Sequence, residues 1–355
     1  MLKNLQITNF RNFSKSEINF NSGINVINAP NASGKTNLLE AIAFLALGKS
    51  FKARLESECI NYDSEIARIK TDDLEIVLTR GFIDIGKKEL EKVPKKKLLV
   101  KGIARRLIDF AGNIKVVIFS PQDLDLVSQT PSLRRKFLDQ VLSQSDREYR
   151  RSIGAYEKGI RQRNRILLKI REEGLSRENL IYWNHVLIKN GNYITSKREE
   201  LIEYINNLEI NIKNSFQLKY DPSTISEERL EKYKVEEVAS GNTLVGPHRD
   251  DFEFQIIKPQ SQILNLSSFG SRGEQRMAVL WLKLAELNYI EERTGTKPIL
   301  LLDDIFSELD HNHRKVVVEA INNHQVIITS ADPHNLSDIQ EKEINLIELC
   351  YQSFK

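Results

Sequence analysis

Residues 24 to 47 restrict the fold more than any other stretch of the chain. Ile24-Asn25-Val26-Ile27 has the pattern of a short buried strand. Asn28-Ala29-Pro30-Asn31-Ala32-Ser33-Gly34-Lys35-Thr36 follows, and then a helix-forming run, Asn37-Leu38-Leu39-Glu40-Ala41-Ile42. A strand, a loop of small residues and a helix turn several backbone N–H groups toward one point at the helix N-terminus. There the dipole and the unpaired donors favour phosphate oxygens. At this spacing Lys35 reaches the β- and γ-phosphates of a nucleotide and the Thr36 hydroxyl takes one position on Mg²⁺. Ala29, Pro30, Asn31, Ala32, Ser33, Gly34, Lys35, Thr36 and Asn37 are therefore the expected nucleotide-binding loop. The loop departs from the pattern GxxxxGK[ST] at its first position, Ala29, where a positive φ would cost about 1–2 kcal/mol. An ordinary strand-to-helix turn can look the same, so the assignment needs further motifs.

The second motif is Pro298-Ile299-Leu300-Leu301-Leu302-Asp303-Asp304, an apolar run ending in two carboxylates. Four to six apolar residues in a row suit a strand buried on both faces of a parallel sheet. Adjacent strand residues face opposite ways, which predicts different tasks for the two acids. Asp303 is expected to hold Mg²⁺, and Asp304 to accept a proton from the attacking water as general base. A third motif, Ser267-Ser268-Phe269-Gly270-Ser271-Arg272-Gly273-Glu274-Gln275-Arg276, precedes the acidic run and opens a helix. It resembles the signature of ABC-type ATPases, in which a helix N-terminus meets a γ-phosphate held by a second subunit. Ser271, Arg272, Gly273, Glu274 and Gln275 would form that trans contact. Gln122, in Phe119-Ser120-Pro121-Gln122-Asp123, is placed like the glutamine that senses Mg²⁺ and water. Ser307-Glu308-Leu309-Asp310 resembles the loop after the acidic strand. Thr329 stands where many ABC proteins carry histidine, and a hydroxyl cannot replace an imidazole as proton acceptor. Slow hydrolysis is the expectation.

The chain divides by rhythm. Residues 1–125 read as strands and one helix of an α/β head, 126–237 as a helical insertion, and 238–355 as the return to the head with signature and acidic strand. One sheet interrupted by a helical arm is the expected fold. With 355 residues, 40% of them hydrophobic, the chain can bury a large core. Its two cysteines, Cys59 and Cys350, lie far apart with no metal-ligand spacing, which excludes a disulfide framework and the common zinc patterns. No stretch reaches the roughly 20 apolar residues of a membrane span and none reads as a secretory signal, so a cytoplasmic location is expected. The formal net charge is only +3, but residues 131 to 171 carry twelve Lys or Arg against four acids. Arg134, Arg135, Lys136, Arg161, Arg163 and Arg165 in that segment are candidate contacts to a nucleic-acid backbone, although a solvated helix face explains the same charges.

The motifs together resemble the RecF family of recombination mediators. The matching stretches include Ile7-Thr8-Asn9-Phe10-Arg11-Asn12-Phe13, Asn31 to Ile42, Phe119 to Leu124, Arg134 to Asp139, Gln162-Arg163-Asn164, Val245-Gly246-Pro247-His248-Arg249-Asp250-Asp251 and Leu301 to Asp310. The resemblance implies an ABC-type head that takes ATP and Mg²⁺, dimerises around ATP, and hydrolyses it weakly with stimulation by DNA. It implies DNA as partner, duplex or gapped, with RecR and RecO, and loading of a recombinase at single-strand gaps. Arg11 would approach the nucleotide, as the matching position does in related heads, and His248 and Arg249 are weaker site candidates. A long coiled-coil ATPase of the chromosome-structure class is the alternative, but such chains need hundreds of residues between the Gln122 and Ser271 motifs, and here there are about 150.

Overall fold

The computed structural model describes residues 1–30, 32–84, 90–210, 212, 215–259, 262–308, 314, 317–319, 323–330 and 344–349. Asn31, and Leu309-Asp310 of the expected loop after the acidic strand, lie outside the described residues. The chain forms two compact units, one of residues 1–123 and 290–355 and the other of residues 124–289.

The first unit holds two large sheets with a helix between them, and a small sheet of the two strands Phe82–Asp84 and Leu90–Lys92. Strands Val116–Phe119, Ile299–Asp303, Val326–Ser330, Ile24–Asn28 and Ile344–Glu348 lie side by side in that order, every pair parallel. Strands from both ends of the chain thus share one sheet, as the sequence rhythm predicts. The all-apolar strands Val116–Phe119 and Ile299–Leu302 are buried throughout, the mark of a sheet covered on both faces. A second, antiparallel sheet runs in the order Phe13–Asn19, Asn4–Phe10, Ile66–Lys70, Leu74–Thr79, Lys96–Val100, Ile103–Arg105. Here residues alternate between core and solvent: Ile7, Ile69, Ile76 and Leu98 stand opposite one another across four strands and all are buried. The helix Lys35–Leu47 packs against strands of both sheets. Its interior run, Leu38 to Leu47, is therefore buried on every side and shows no polar stripe.

The second unit contains the helices Pro131–Ser145, Arg147–Glu173 and Ile181–Asn207, the last two packed along each other. It also contains an antiparallel sheet of Ser215–Asp221, Asp251–Lys258 and Gln262–Asn265 and most of the helix Arg272–Thr294. The sequence rhythm placed the return to the head at residue 238. The structure groups residues 238–289 with the helical arm instead, because Asp251–Lys258 pairs in register with Ser215–Asp221.

The stretch Gly246 to Asp251 binds this unit together and draws His248 into its packing, while Arg249 is exposed. Asp250 is fully buried and accepts from Arg198 Nη1 at 2.8 Å, from the Ser223 amide at 2.7 Å and from the Tyr220 hydroxyl. Arg198 also donates to Asp139 at 2.8 Å and to the Pro247 carbonyl at 2.7 Å. Gly246 has φ 122, and a Cβ there would stand 2.2 Å from the Tyr156 hydroxyl, so only glycine fits. His248 faces the Thr243 carbonyl through Nε2 at 2.9 Å and the Tyr156 hydroxyl through Nδ1 at 2.8 Å. The carbonyl can only accept, so Nε2 carries the proton and Nδ1 receives the tyrosine hydrogen. Burial lowers this imidazole from its usual 6.5 to about 4. A histidine held neutral by folding contributes stability that is complete above pH 6.5 and is lost as pH falls toward 4, at most about 3 kcal/mol. Urea unfolding between pH 7 and 4 is expected to show a shallower pH dependence in His248→Gln than in the wild type. Parallel curves would refute this role.

Candidate nucleotide-binding site

The strand Ile24–Asn28 delivers the chain into the phosphate loop, and the helix Lys35–Leu47 leaves it. Gly34 has φ 102, and a Cβ there would lie 2.4 Å from Asn12 Nδ2. Asn12 is the close neighbour because its side-chain amide donates to the Ser33 carbonyl at 3.0 Å and its Oδ1 accepts from Asn37 at 2.9 Å. This asparagine, which sequence reasoning did not single out, ties the first hairpin to the loop. The strain expected at Ala29 is absent. Ala29 continues the strand, its amide 3.4 Å from the Ser330 carbonyl, and the positive φ falls on Ala32, at 65°. The cost of about 1–2 kcal/mol moves with it.

Lys35 is buried and folds its ammonium back onto the loop, donating to the Ala29 carbonyl and to the Pro30 carbonyl at 2.9 Å. Burial lowers its pKa against the opposing attraction of Asp304 and Asp303. The Ser33 hydroxyl is buried without a hydrogen-bond partner among the described residues. A buried hydroxyl left unpaired costs free energy, which a phosphate oxygen in the loop would recover.

Asp303 ends the acidic strand and accepts from the Thr36 hydroxyl at 2.8 Å on one oxygen and from the Thr329 hydroxyl at 2.8 Å on the other. Asp304 is not a strand residue. Its φ is 51°, and its amide donates to the Thr329 carbonyl at 3.2 Å and hydroxyl at 3.1 Å. The backbone reverses there, so the two acids do not diverge as strand alternation predicts. Both line one cleft of about 430 Å³ with Lys35, Thr36 and Gln122. Gln122 arrives on the short turn Pro121–Leu124, whose start is closed by the Ser120 amide donating to Asp123 at 2.6 Å. Exposed Lys52 also lines the cleft, a second cation that no motif marks. Thr329 holds the acidic pair in place, a task different from that of a histidine at its position.

The donor set fits Mg²⁺. One carboxylate and one hydroxyl stand side by side, and no group of three or more His, Cys, Asp or Glu suited to a metal occurs among the described residues. Mg²⁺ is commonly held in this way, by one or two protein oxygens with phosphates and water completing the shell. Arg11 does not belong to this cleft. Its guanidinium grips Glu40 at 2.8 and 2.9 Å and the Glu58 carbonyl at 2.8 Å, and Glu40 raises its pKa. Arg11 therefore anchors the helix Lys35–Leu47 to the segment around Glu58.

Ser271 caps the helix Arg272–Thr294 through a reciprocal box: its hydroxyl accepts from the Glu274 amide at 3.2 Å, and Glu274 Oε2 accepts from the Ser271 amide at 2.9 Å. Lys258 pairs with the other Glu274 oxygen. Gln275 donates weakly to the Leu266 and Gly270 carbonyls, closing the turn before the helix. A Cβ at Gly273 would meet nothing closer than Ser271 Oγ at 4.0 Å, so the approach is open there. Arg272 is exposed beside it.

The family described as RecF/RecN/SMC N terminal domain matches residues 1–348. The DNA replication and repair protein RecF of Clostridium novyi is 37% identical, with 96% of this chain and 94% of that protein aligned. The protein of the same description from Herpetosiphon aurantiacus is 34% identical, with 96% and 97% aligned. A solved structure of the recombination mediator protein RecF with ATP, in the RecFOR pathway, superposes with a TM-score of 0.80 at 32% identity over 93% of this chain and 92% of that one. The chain belongs to the RecF family.

In this RecF-family chain the basic segment 131–171 divides sharply. Arg163 is buried and spent on Glu237 at 2.6 Å, Thr243 at 2.9 Å and Asn184 at 2.7 Å. Arg134 is buried in a two-pronged pair with Asp251 at 2.6 and 2.9 Å. Both guanidiniums are engaged inside the protein. Arg135 is half-buried and donates to the Asp250 carbonyl at 2.8 Å. Of the six candidates, Lys136, Arg161 and Arg165 are exposed. Counting charge along the chain could not separate these classes, because an internal ion pair and a free surface cation have the same sequence. No described helix is long and apolar enough to cross a membrane.

Proposed function

We propose that this chain is an ATP-dependent, DNA-binding recombination mediator of the cytoplasm. Two copies would close around ATP and Mg²⁺, each Lys35 loop facing the Ser271 helix of the other. The closed dimer would bind duplex or gapped DNA and, with RecR and RecO, help load a recombinase at single-strand gaps. ATP hydrolysis would be weak and stimulated by DNA, with Asp304 as general base, Gln122 orienting water, and Thr36 and Asp303 holding the metal. The observation that carries the reading is the cleft itself: a buried lysine, an unpaired buried hydroxyl at Ser33 and a carboxylate–hydroxyl pair stand at one helix N-terminus. Relatives and solved structures described as RecF support the DNA part of it.

The test uses Asp304→Asn, which keeps the shape of the side chain and removes the base. Its binding to a gapped duplex, a plain duplex and a single strand is compared in MgATP and in ADP. The expected result is a dimer that persists on DNA in ATP, with hydrolysis reduced about a hundredfold or more. Equal DNA binding in ADP and ATP would sink the ATP-gated clamp, and wild-type turnover would move the general base elsewhere.

A further inference from the structure

Residues 92 to 106 carry seven cations, Lys92, Lys95, Lys96, Lys97, Lys101, Arg105 and Arg106, and no acid. Lys96, Lys97 and Arg105 stand on the hairpin strands Lys96–Val100 and Ile103–Arg105 at the edge of the antiparallel sheet, and Lys101 in the turn between them. Lys96 turns inward to Glu56 and the Gly48 carbonyl. Among the described residues, exposed Lys97, Lys101, Arg105 and Arg106 have no acidic partner.

The strand register extends this charge across the sheet. Lys15 stands opposite Thr8, Thr8 opposite Arg68, Arg68 opposite Val77 and Val77 opposite Lys97. This row adjoins the buried row of Ile7, Ile69, Ile76 and Leu98, so its side chains point to the solvent face. Arg106, extended at φ −75 and ψ 157, comes one residue after the pair Leu98–Arg105 and continues the row beyond Lys97. Strands lie about 4.8 Å apart, so Lys15, Arg68 and Lys97 recur at intervals of about 10 Å and the row spans about 24 Å. That is the length of about seven base pairs at 3.4 Å each. Arg68 shares its charge with Glu75 at 2.8 Å, and Glu17 stands two residues from Lys15 on the same face of the same strand, where Asn4 and Gln6 donate to it.

We infer that the solvent face of this sheet, from Lys15 through Lys97 to Arg106, is a second nucleic-acid backbone-binding surface, separate from the arm. Lysines on an edge strand also discourage sheet-to-sheet aggregation. That function accounts for charge on the hairpin and for Lys15 on the opposite edge strand, but not for Arg68, which stands on a central strand in the same row. A face of regularly spaced cations recognises phosphates without reading bases.

The inference rests on the DNA-binding reading above, and the test separates the two. The triple variant Lys15→Glu, Lys97→Glu, Arg106→Glu changes exposed side chains only, and its thermal melting should match the wild type. Anisotropy with a labelled 30-base-pair duplex in MgATP, over a series of KCl concentrations, should show at least tenfold weaker binding. The slope of log affinity against log salt should be less steep by about 3. A second variant, Arg161→Glu with Arg165→Glu, probes the arm. If the wild type binds and the triple variant keeps its affinity and slope, the surface is refuted while DNA binding stands. If the wild type binds no duplex in any nucleotide, both fall. Loss of binding to phosphatidylserine vesicles with unchanged DNA binding would assign the face to a membrane and overturn the inference.

Discussion

Lys35→Met is expected to lower the affinity for MgATP at least a hundredfold and to abolish ATP-driven dimerisation, with little change in folding. The ammonium is the one cation buried within the loop, and its attraction to Asp304 and Asp303 keeps it at the cleft although burial opposes its charge. Each hydrogen bond between a charged donor and phosphate contributes about 1.5–3 kcal/mol, and two of them correspond to a hundredfold or more in affinity. Among the described residues Lys35 bonds to the carbonyls of Ala29 and Pro30, so methionine leaves acceptors beside an open cleft rather than a buried charge. Titration with a fluorescent ATP analogue, with sedimentation in ATP, measures both effects. An affinity within threefold of the wild type would remove Lys35 from the site.

Arg198→Met is expected to destabilise the second unit by about 3–5 kcal/mol. Methionine nearly fills the volume of the side chain but leaves Asp250, which has no exposed surface, without its cation, and strips a donor from Asp139 and from the Pro247 carbonyl. A broken buried pair costs more than the intact pair contributes, because the remaining charge cannot be rehydrated. Urea unfolding measures this directly, and a loss below about 1 kcal/mol would show that water or Tyr220 takes over the role. A double change, Arg198→Met with Asp250→Asn, should recover part of the loss, since no buried carboxylate is then left alone.

The strands Ile66–Lys70 and Val116–Phe119 were legible residue for residue, because alternation or an unbroken apolar run is a local signal. The phosphate loop was legible for the same reason: Gly34, Lys35 and Thr36 act within one turn of chain. Asn12 was not, nor was the bond by which Thr329 holds Asp303, because each acts on a residue far away in sequence, at Ser33 and at Asp303. The row from Lys15 to Lys97 was invisible too, since its members stand on different strands and only pairing brings them into line.

By itself, then, the sequence determined the class of head, the loop that meets a phosphate and the acids that end a buried strand, all through neighbouring residues whose periodicity or backbone freedom allows one local conformation. Tertiary structure alone decided which charges remain available. It buried Arg134 and Arg163 against acids, paired Arg11 with Glu40, and turned Asp303 and Asp304 into one cleft through a reversed backbone at φ 51. The physical reason is that a charged side chain has the same identity in water and in an ion pair, and only the packing of distant segments determines whether it keeps its solvent.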